Sequence, residues 1–397
     1  MQVTHIVPRF WPQFDGLGDY ARLLGDQLQQ DYGVRSRYVV GDPHWRCGGD
    51  QLPGGVSYEV SAVGRQDAAK LQQHIRDASV VILHYVGYGY QSRGVPFWIN
   101  QAMRRWKESG SQRRLIVVFH ELWASGPPWK SECYLGWIQR RLVADLHRLA
   151  DAALTSGTLG LRRLERIRPG HTTVHPVPSG ISMSNAEQRT WHQAGTPVTL
   201  ALFGLPSQRE ISARKHLKLV MELRRQGLLA SVNVIGKDAH SGDRPSRDIE
   251  LLGEVLNRSQ VRAVPDASSE LAGRTLAESD LLLSFYPSRW LGKSGSVMAA
   301  LANGAVPVLP EGKDLESLEA GREVFVCGRD RASYETLLAR IREGGIARMG
   351  MAARLWYLTN SDWPVLAAKV MAMLPASPRA EDDGLRCSVA DRRAILS

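Results

Sequence analysis

Residues 281–309 read LLLSFYPSRWLGKSGSVMAALANGAVPVL. An apolar run, Leu281–Phe285, gives way to a turn segment rich in glycine and serine. The apolar stretch Val297–Ala302 follows, and after Asn303-Gly304 comes a second short apolar run, Ala305–Leu309. Short apolar runs bounded by turn residues read as buried strands. Parallel strands cannot be closed by a tight hairpin, so the stretch between them reads as a crossover helix. The same alternation extends in both directions. Strands are expected at Val198–Phe203, Ser231–Ile235, Val261–Val264 and Glu323–Val326 around this unit, and at Val3–Val7, Ser36–Val40, Val80–Leu83, Leu115–Phe119, Ala153–Thr155 and Thr173–His175 before it. The class is α/β, and two sets of about six strands predict two Rossmann-like, doubly wound parallel-sheet domains facing a cleft.

The length of 397 residues agrees with two to three domains at about 150 residues each. Residues 184–197 are polar and end in Gly195-Thr196-Pro197, the composition of a linker before the strand at Val198. The expected division is therefore 1–188 for the first Rossmann-like domain and 189–350 for the second. Residues 351–374 are expected as a helical segment returning toward the first domain. Residues 375–397 are charged and contain proline without apolar periodicity, which predicts a disordered tail.

Charge narrows the partners only in part. The net charge is +10, compatible with nucleic acid, an anionic membrane surface or a phosphorylated ligand. Residues 101–190 carry 14 basic and 7 acidic side chains, so most of the excess lies there. Its arginines alternate with apolar residues at helical spacing; solvated helix faces and peripheral membrane contact through residues 101–190 both account for that. No nucleic-acid reader module is recognisable, so nucleic acid is not expected as a partner. Apolar runs are far shorter than the roughly 20 residues of a spanning helix. Cys47, Cys133, Cys327 and Cys387 form no C-x-x-C pair, and the N-terminus enters a strand directly. A reduced, cytoplasmic protein is expected, meeting a membrane only at its inner face.

Four segments could carry chemistry. Asp15-Gly16-Leu17-Gly18-Asp19 opens the first helix, where free backbone N–H groups and the helix dipole favour an anion. It is no dinucleotide fingerprint, because the third glycine position holds Ala21. His120-Glu121 ends the strand Leu115–Phe119, and His84-Tyr85 ends Val80–Leu83; ligands of open α/β sheets bind beyond such strand ends. Trp123 follows closely, and Tyr88, Tyr90, Phe97 and Trp98 crowd a glycine-containing loop suited to stacking a sugar ring, as well as to ordinary packing. Gly292-Lys293-Ser294-Gly295-Ser296 offers amides, hydroxyls and a cation to a phosphate at a helix start, without the first glycine of a Walker loop. Finally, Arg209, Arg214, Lys215 and Lys218 enter the helix after Val198–Phe203, where a cation could balance a departing diphosphate.

Taken in chain order, these segments resemble the retaining, metal-independent glycosyltransferases of the GT-B fold, in particular the family-four-like group of bacterial polysaccharide synthesis. The resemblance covers roughly residues 1–374. It rests on Pro12–Tyr20 as the glycine loop, Phe119-His120-Glu121 as the His-Asp/Glu signature and Leu154-Thr155-Ser156 as a strand end. It continues through Val174–Ile181 at the linker entrance, Ala277–Ser288 around the strand at Leu281, and Ala302–Val308.

The resemblance implies a nucleotide-sugar donor held mainly on the second domain and a glycan or lipid-linked acceptor on the first, with no cofactor and no metal. It places His120 against the donor sugar, with Arg209 and Lys215 as further catalytic groups neutralising the diphosphate. Gly16, Gly18, Gly292, Lys293, Ser294, Gly295 and Ser296 would line the phosphates, and His84, Tyr85, Glu121 and Trp123 would meet acceptor or sugar. Transfer would occur on one face of the sugar, the leaving phosphate helping to deprotonate the acceptor. One departure stands out: Leu291 and Ala299 occupy the places of the family's two nucleotide-gripping glutamates. A catalytically silent relative that binds a partner is therefore the competing reading.

Overall fold

The computed structural model describes residues 1–13, 15–46, 58–124, 131–185, 189–237, 240–241, 244–312, 314–328 and 330–375. The expected tail from 376 onward, Cys47 and Cys387 lie outside the described residues, as does the side chain of Cys133; Cys327 is buried as a free thiol.

Runs of β-branched and leucine residues form the central strands, which are buried on both faces, while the edge strands are partly exposed. The first sheet contains β1 (Gln2–Val7), β2 (Arg35–Val40), β3 (Glu59–Ala62), β4 (Val80–Tyr85), β5 (Arg114–Phe119), β6 (Ala152–Thr155) and β7 (Thr172–Val174). Its order is β3-β2-β1-β4-β5-β6-β7 and every pairing is parallel. The second domain opens with β8 (Val198–Phe203) and β9 (Leu229–Gly236) and includes a small hairpin, β10 (His240–Ser241) with β11 (Arg244–Pro245). Its sheet is completed by β12 (Val261–Pro265), β13 (Leu281–Leu283), β14 (Val306–Pro310) and β15 (Phe325–Cys327). The order β12-β9-β8-β13-β14-β15 is again wholly parallel.

Helices cover both faces of each sheet, as parallel sheets require. In the first domain α1 (Gly16–Tyr32) lies on one face, while α2 (Ala68–His74), the single turn α3 (Gly87–Tyr90), α4 (Phe97–Glu108), α5 (Ser131–Leu149) and α6 (Thr158–Glu165) follow along the chain. Leu71, Ile99, Met103, Trp106 and Val143 build the core on the opposite face from α1. In the second domain α7 (Pro206–Arg225), α8 (Arg247–Gly253), α9 (Ser269–Ala277), α10 (Gly295–Ala302), α11 (Arg331–Arg342) and α12 (Gly345–Asn360) sort likewise. α7, α8 and α11 share one core, and α9, α10 and α12 the other. Because α10 is apolar all round, it is buried all round: Val297 to Ala302 are each at most 1% exposed.

The last helix, α13 (Trp363–Met373), leaves the second domain and packs on α1. Leu366, Ala367 and Val370 join Val3, Leu24 and Leu28 in one cluster. The linker is not loose. Arg189 is buried, donates to the carbonyls of Ala277, Ser279, Asn303 and Gly304, and lies 4.4 Å from the Trp191 ring.

Candidate active site

In a doubly wound sheet the crevice lies beyond the carboxyl ends of the strands, where the chain order reverses. Here those ends face each other. Lys293, at the end of the turn that leads from β13 into α10, donates to the main-chain carbonyl of His120, just after β5, at 2.5 Å. Val177 N donates to Gly292 O at 2.7 Å, and Thr158 at the start of α6 donates to Glu316 and Asp314 of the second domain. These contacts frame a gap between the two sheets.

On the first-domain side, the two-residue period of the strands decides what faces α1. Val3 and His5 on β1, Ile82 and His84 on β4, and Val118 and His120 along β5 alternate with residues aimed at the opposite core. The three histidines therefore form a diagonal row. His5 Nδ1 lies 3.0 Å from His84 Nε2, and His84 Nδ1 lies 3.2 Å from His120 Nε2. Their rings stack at 5.4 and 5.5 Å, and Tyr20 from α1 meets the His120 ring edge-on at 4.8 Å. Burial holds His5 and His120 down at about 3, and His84 well below its ordinary range, so all three are neutral near pH 7. Beyond His120, Glu121 is exposed and lies within electrostatic reach of Lys293 and Tyr286 of the second domain. Burial lowers the Lys293 ammonium, and Glu121 partly offsets this.

On the second-domain side, the Ser294 hydroxyl caps α10, accepting from Val297 N and lying 3.2 Å from the Ser296 hydroxyl. Gly295 is exposed, with nothing within 4 Å of where a Cβ would stand. Gly204, at the end of β8, lies against Ser296 across the point where strand order reverses. Lys215 on α7 rests over the Phe285 ring at 5.3 Å and lines a cavity of 320 Å³ with His216, Glu311 and Tyr334.

The sequence-derived site is thus assembled in part. His120, Glu121, Lys293, Ser294, Gly295 and Ser296 converge at the gap, and Gly16 is open and exposed at the start of α1. Five residues take other parts. Gly292 packs on the first domain, where a Cβ would stand 2.0 Å from Ser156 O. Gly18 lets α1 close on the β1 loop, a Cβ there standing 2.7 Å from Arg9 O. The neighbouring Asp15 carboxyl, raised by burial, is drawn down by the Gly18 and Leu17 amides, so this helix start already faces a carboxyl group. Tyr85 has the opposite strand parity to His84 and is fully buried in the far core against Phe119. His84 is also fully buried and meets only what His120 passes on. Arg209 is not an open cation: it is 1% exposed, pairs with Asp248 at 2.7 Å, and donates to the carbonyls of Gly204 and Lys237.

Trp123, expected to stack a sugar, is partly buried with the guanidinium groups of Arg163 and Arg140 at 5.2 and 5.7 Å from its ring. Leu291 and Ala299 are buried, which agrees with their apolar character and leaves no carboxylate at either place. Sequence reasoning missed His5 and Asp248. The signal for His5 was a lone imidazole at a core position of an otherwise apolar strand. Among the described residues, no group of three or more His, Cys, Asp or Glu converges as metal ligands would, and no helix is long and apolar enough to cross a membrane.

No protein-family profile and no curated protein matches the chain. Solved structures do match its fold. An alpha-glucosyltransferase in complex with UDP and a 13-mer DNA superposes with a TM-score of 0.57 at 12% identity, covering 94% of this chain and 99% of that one. The lipopolysaccharide outer core galactosyltransferase WaaB gives 0.53 at 12% identity over 94% of this chain and 100% of its own. A UDP-N-acetylglucosamine 2-epimerase gives 0.53 at 12% identity, covering 94% of each chain. The architecture is the GT-B fold: two Rossmann-like domains opposed across a cleft. Transferases and an epimerase share it, so activity has to be argued from the site.

Proposed function

We propose that this chain is a retaining glycosyltransferase that moves a hexose-type unit from a nucleotide-sugar donor to a glycan or lipid-linked acceptor in bacterial polysaccharide assembly, without a protein-held metal. The observation that carries the reading is the opposition of His120-Glu121 to Lys293–Ser296 across the gap between two sets of carboxyl strand ends. Negative charge builds on the diphosphate as the sugar leaves. The amides at the start of α10 and the ammonium groups of Lys293 and Lys215 stabilise it there. His120, neutral and half-buried, contacts the donor sugar, while the leaving phosphate takes the acceptor proton on the same face. UDP is the first nucleotide to test, because three of the neighbouring structures, all of alpha-glucosyltransferase, hold UDP. The missing carboxylates at Leu291 and Ala299 make this grip phosphate-centred rather than ribose-centred.

The acceptor side supports a membrane-proximal setting. Tyr134 and Trp137 are 72% and 68% exposed on α5, and Arg140, Arg141 and Arg148 are exposed along the same helix. Aromatic rings beside guanidinium groups suit an anionic bilayer surface.

The test is incubation of the purified chain with UDP-, GDP-, dTDP- and ADP-sugars, reading nucleotide release and sugar transfer. Release or transfer from one donor class supports the assignment. Binding to none supports the silent relative instead, and transfer to DNA would redirect the acceptor.

A further inference from the structure

The histidine row has a property that follows from proton counting alone. A neutral imidazole carries one N–H and one lone pair. His84 uses both of its nitrogens, one toward His5 Nδ1 and one toward His120 Nε2. It must therefore donate through one and accept through the other, which forces both bonds to run in the same direction. If His84 donates from Nδ1, then His120 Nε2 accepts, and His5 must donate from its own Nδ1. If His84 donates from Nε2, every assignment reverses.

We infer that His5 and His84 are positioning residues that lock His120 into a single tautomer, with all three rings carrying their proton on the same-named nitrogen. Geometry supports a latch rather than a conducting wire. His5 Nε2 is buried and has no hydrogen-bond partner among the described residues, so the row ends in a closed pocket with no outlet for a proton. His5 stacks on Tyr38 at 5.2 Å and His84 is fully buried, which leaves neither ring room to flip. With Nε2 taken by His84, the remaining ring nitrogen of His120, Nδ1, has a fixed character, donor or acceptor. Changing it while all three rings stay neutral requires the two shared protons to shift along the row, one proton to be exchanged at His120 Nδ1, and one to be exchanged at His5 Nε2, where the buried end offers no partner among the described residues. The catalytic meaning rests on the glycosyltransferase reading: an oxygen of the donor sugar would meet one defined hydrogen-bonding partner instead of an equilibrium of two.

The experiment is long-range proton–nitrogen correlation on protein labelled with ¹⁵N at its eleven histidines, with His5→Phe, His84→Gln and His120→Gln used to assign the three rings. The expected result is one pyrrole-type and one pyridine-type nitrogen for each, with the same nitrogen protonated in all three. His5→Phe keeps an aromatic ring against Tyr38 and should move the His120 nitrogen shifts toward averaged values. His84→Phe should lower kcat by about ten- to a hundredfold with KM for the donor within about twofold, and His84→Gln, which can donate and accept at once, should recover most of it.

Opposite tautomers in neighbouring rings, averaged shifts in the unaltered protein, or a His120 spectrum indifferent to His5→Phe would overturn the inference. The spectra need no substrate. A shared tautomer in a protein that turns over no nucleotide sugar would sink the enzymatic reading and leave the latch standing; turnover with mixed tautomers would do the reverse.

Discussion

Lys293 and His120 lie far apart in the chain, and one hydrogen bond of 2.5 Å from the lysine ammonium to the histidine carbonyl joins the two sheets. Because that ammonium also lies near Glu121 and over the Trp290 ring at 5.1 Å, it acts both as a strut between domains and as a charge facing the gap. Lys293→Met should lower kcat/KM by about 100-fold, the order of loss when one group stabilising developing charge is removed. Steady-state kinetics beside a thermal melt checks this; a melt that collapses would show the strut to be the larger part.

The two glycines of Gly292-Lys293-Ser294-Gly295 should behave oppositely. At Gly292 an added methyl group meets the Ser156 carbonyl, which belongs to backbone and cannot swing aside, so Gly292→Ala should cost about 1–3 kcal/mol. Gly295→Ala meets open space and should stay within about 0.5 kcal/mol. Denaturant unfolding of both variants decides, and equal losses would contradict the packing described.

Acid stability follows from the buried imidazoles. His5 and His120 are held at about 3 in the folded chain against about 6.5 when unfolded. Above pH 6.5 neither state takes up a proton, and stability is complete. Between 6.5 and 3 the unfolded chain binds protons that the folded chain refuses. Stability therefore falls with falling pH, by up to about 1.4 kcal/mol per pH unit for each histidine. Unfolding curves between pH 7 and pH 4 measure the slope. His5→Phe should flatten it, and a slope unchanged by that substitution would contradict the assignment.

Arg209 and Asp248 form a pair with side chains 0% and 1% exposed. Removing one partner strands the other charge away from water. Arg209→Met and Asp248→Asn should each cost about 3–5 kcal/mol, whereas the double variant should lose much less than their sum. A double-mutant cycle by chemical denaturation tests it, and additive losses would mean that the two charges act independently.

Trp137→Ala and Tyr134→Ala should weaken co-sedimentation with phosphatidylglycerol vesicles while leaving the melt unchanged, since both rings stand in solvent. Arg140→Glu with Arg141→Glu should act in the same direction and more strongly at low salt, at about 1 kcal/mol per basic residue near the surface. Equal retention on neutral vesicles would argue against a charged bilayer.

Strand positions were largely readable in the sequence, because a parallel sheet demands predominantly apolar runs such as Leu115–Phe119 and Val198–Phe203. β3 escaped because Glu59–Ala62 sits at a sheet edge, half-exposed, with no apolar run to mark it. Lys293–Ser296 could be singled out from its place before an apolar helix. What spacing could not give was the third dimension. Nothing local in Gly292 announces Ser156, Arg209 carries no sign of Asp248, and the contact between His5 and His84 depends on register between β1 and β4.

The helix Trp363–Met373 is the last described element, yet it finishes the interior that Val3 begins. A ribosome must deliver the chain through residue 373 before its first strand finds full cover. Residues 1–188 produced alone would lose the cover that Leu366, Ala367 and Val370 give to α1, so a separately expressed first half should gain stability from a peptide spanning 361–375 supplied in trans.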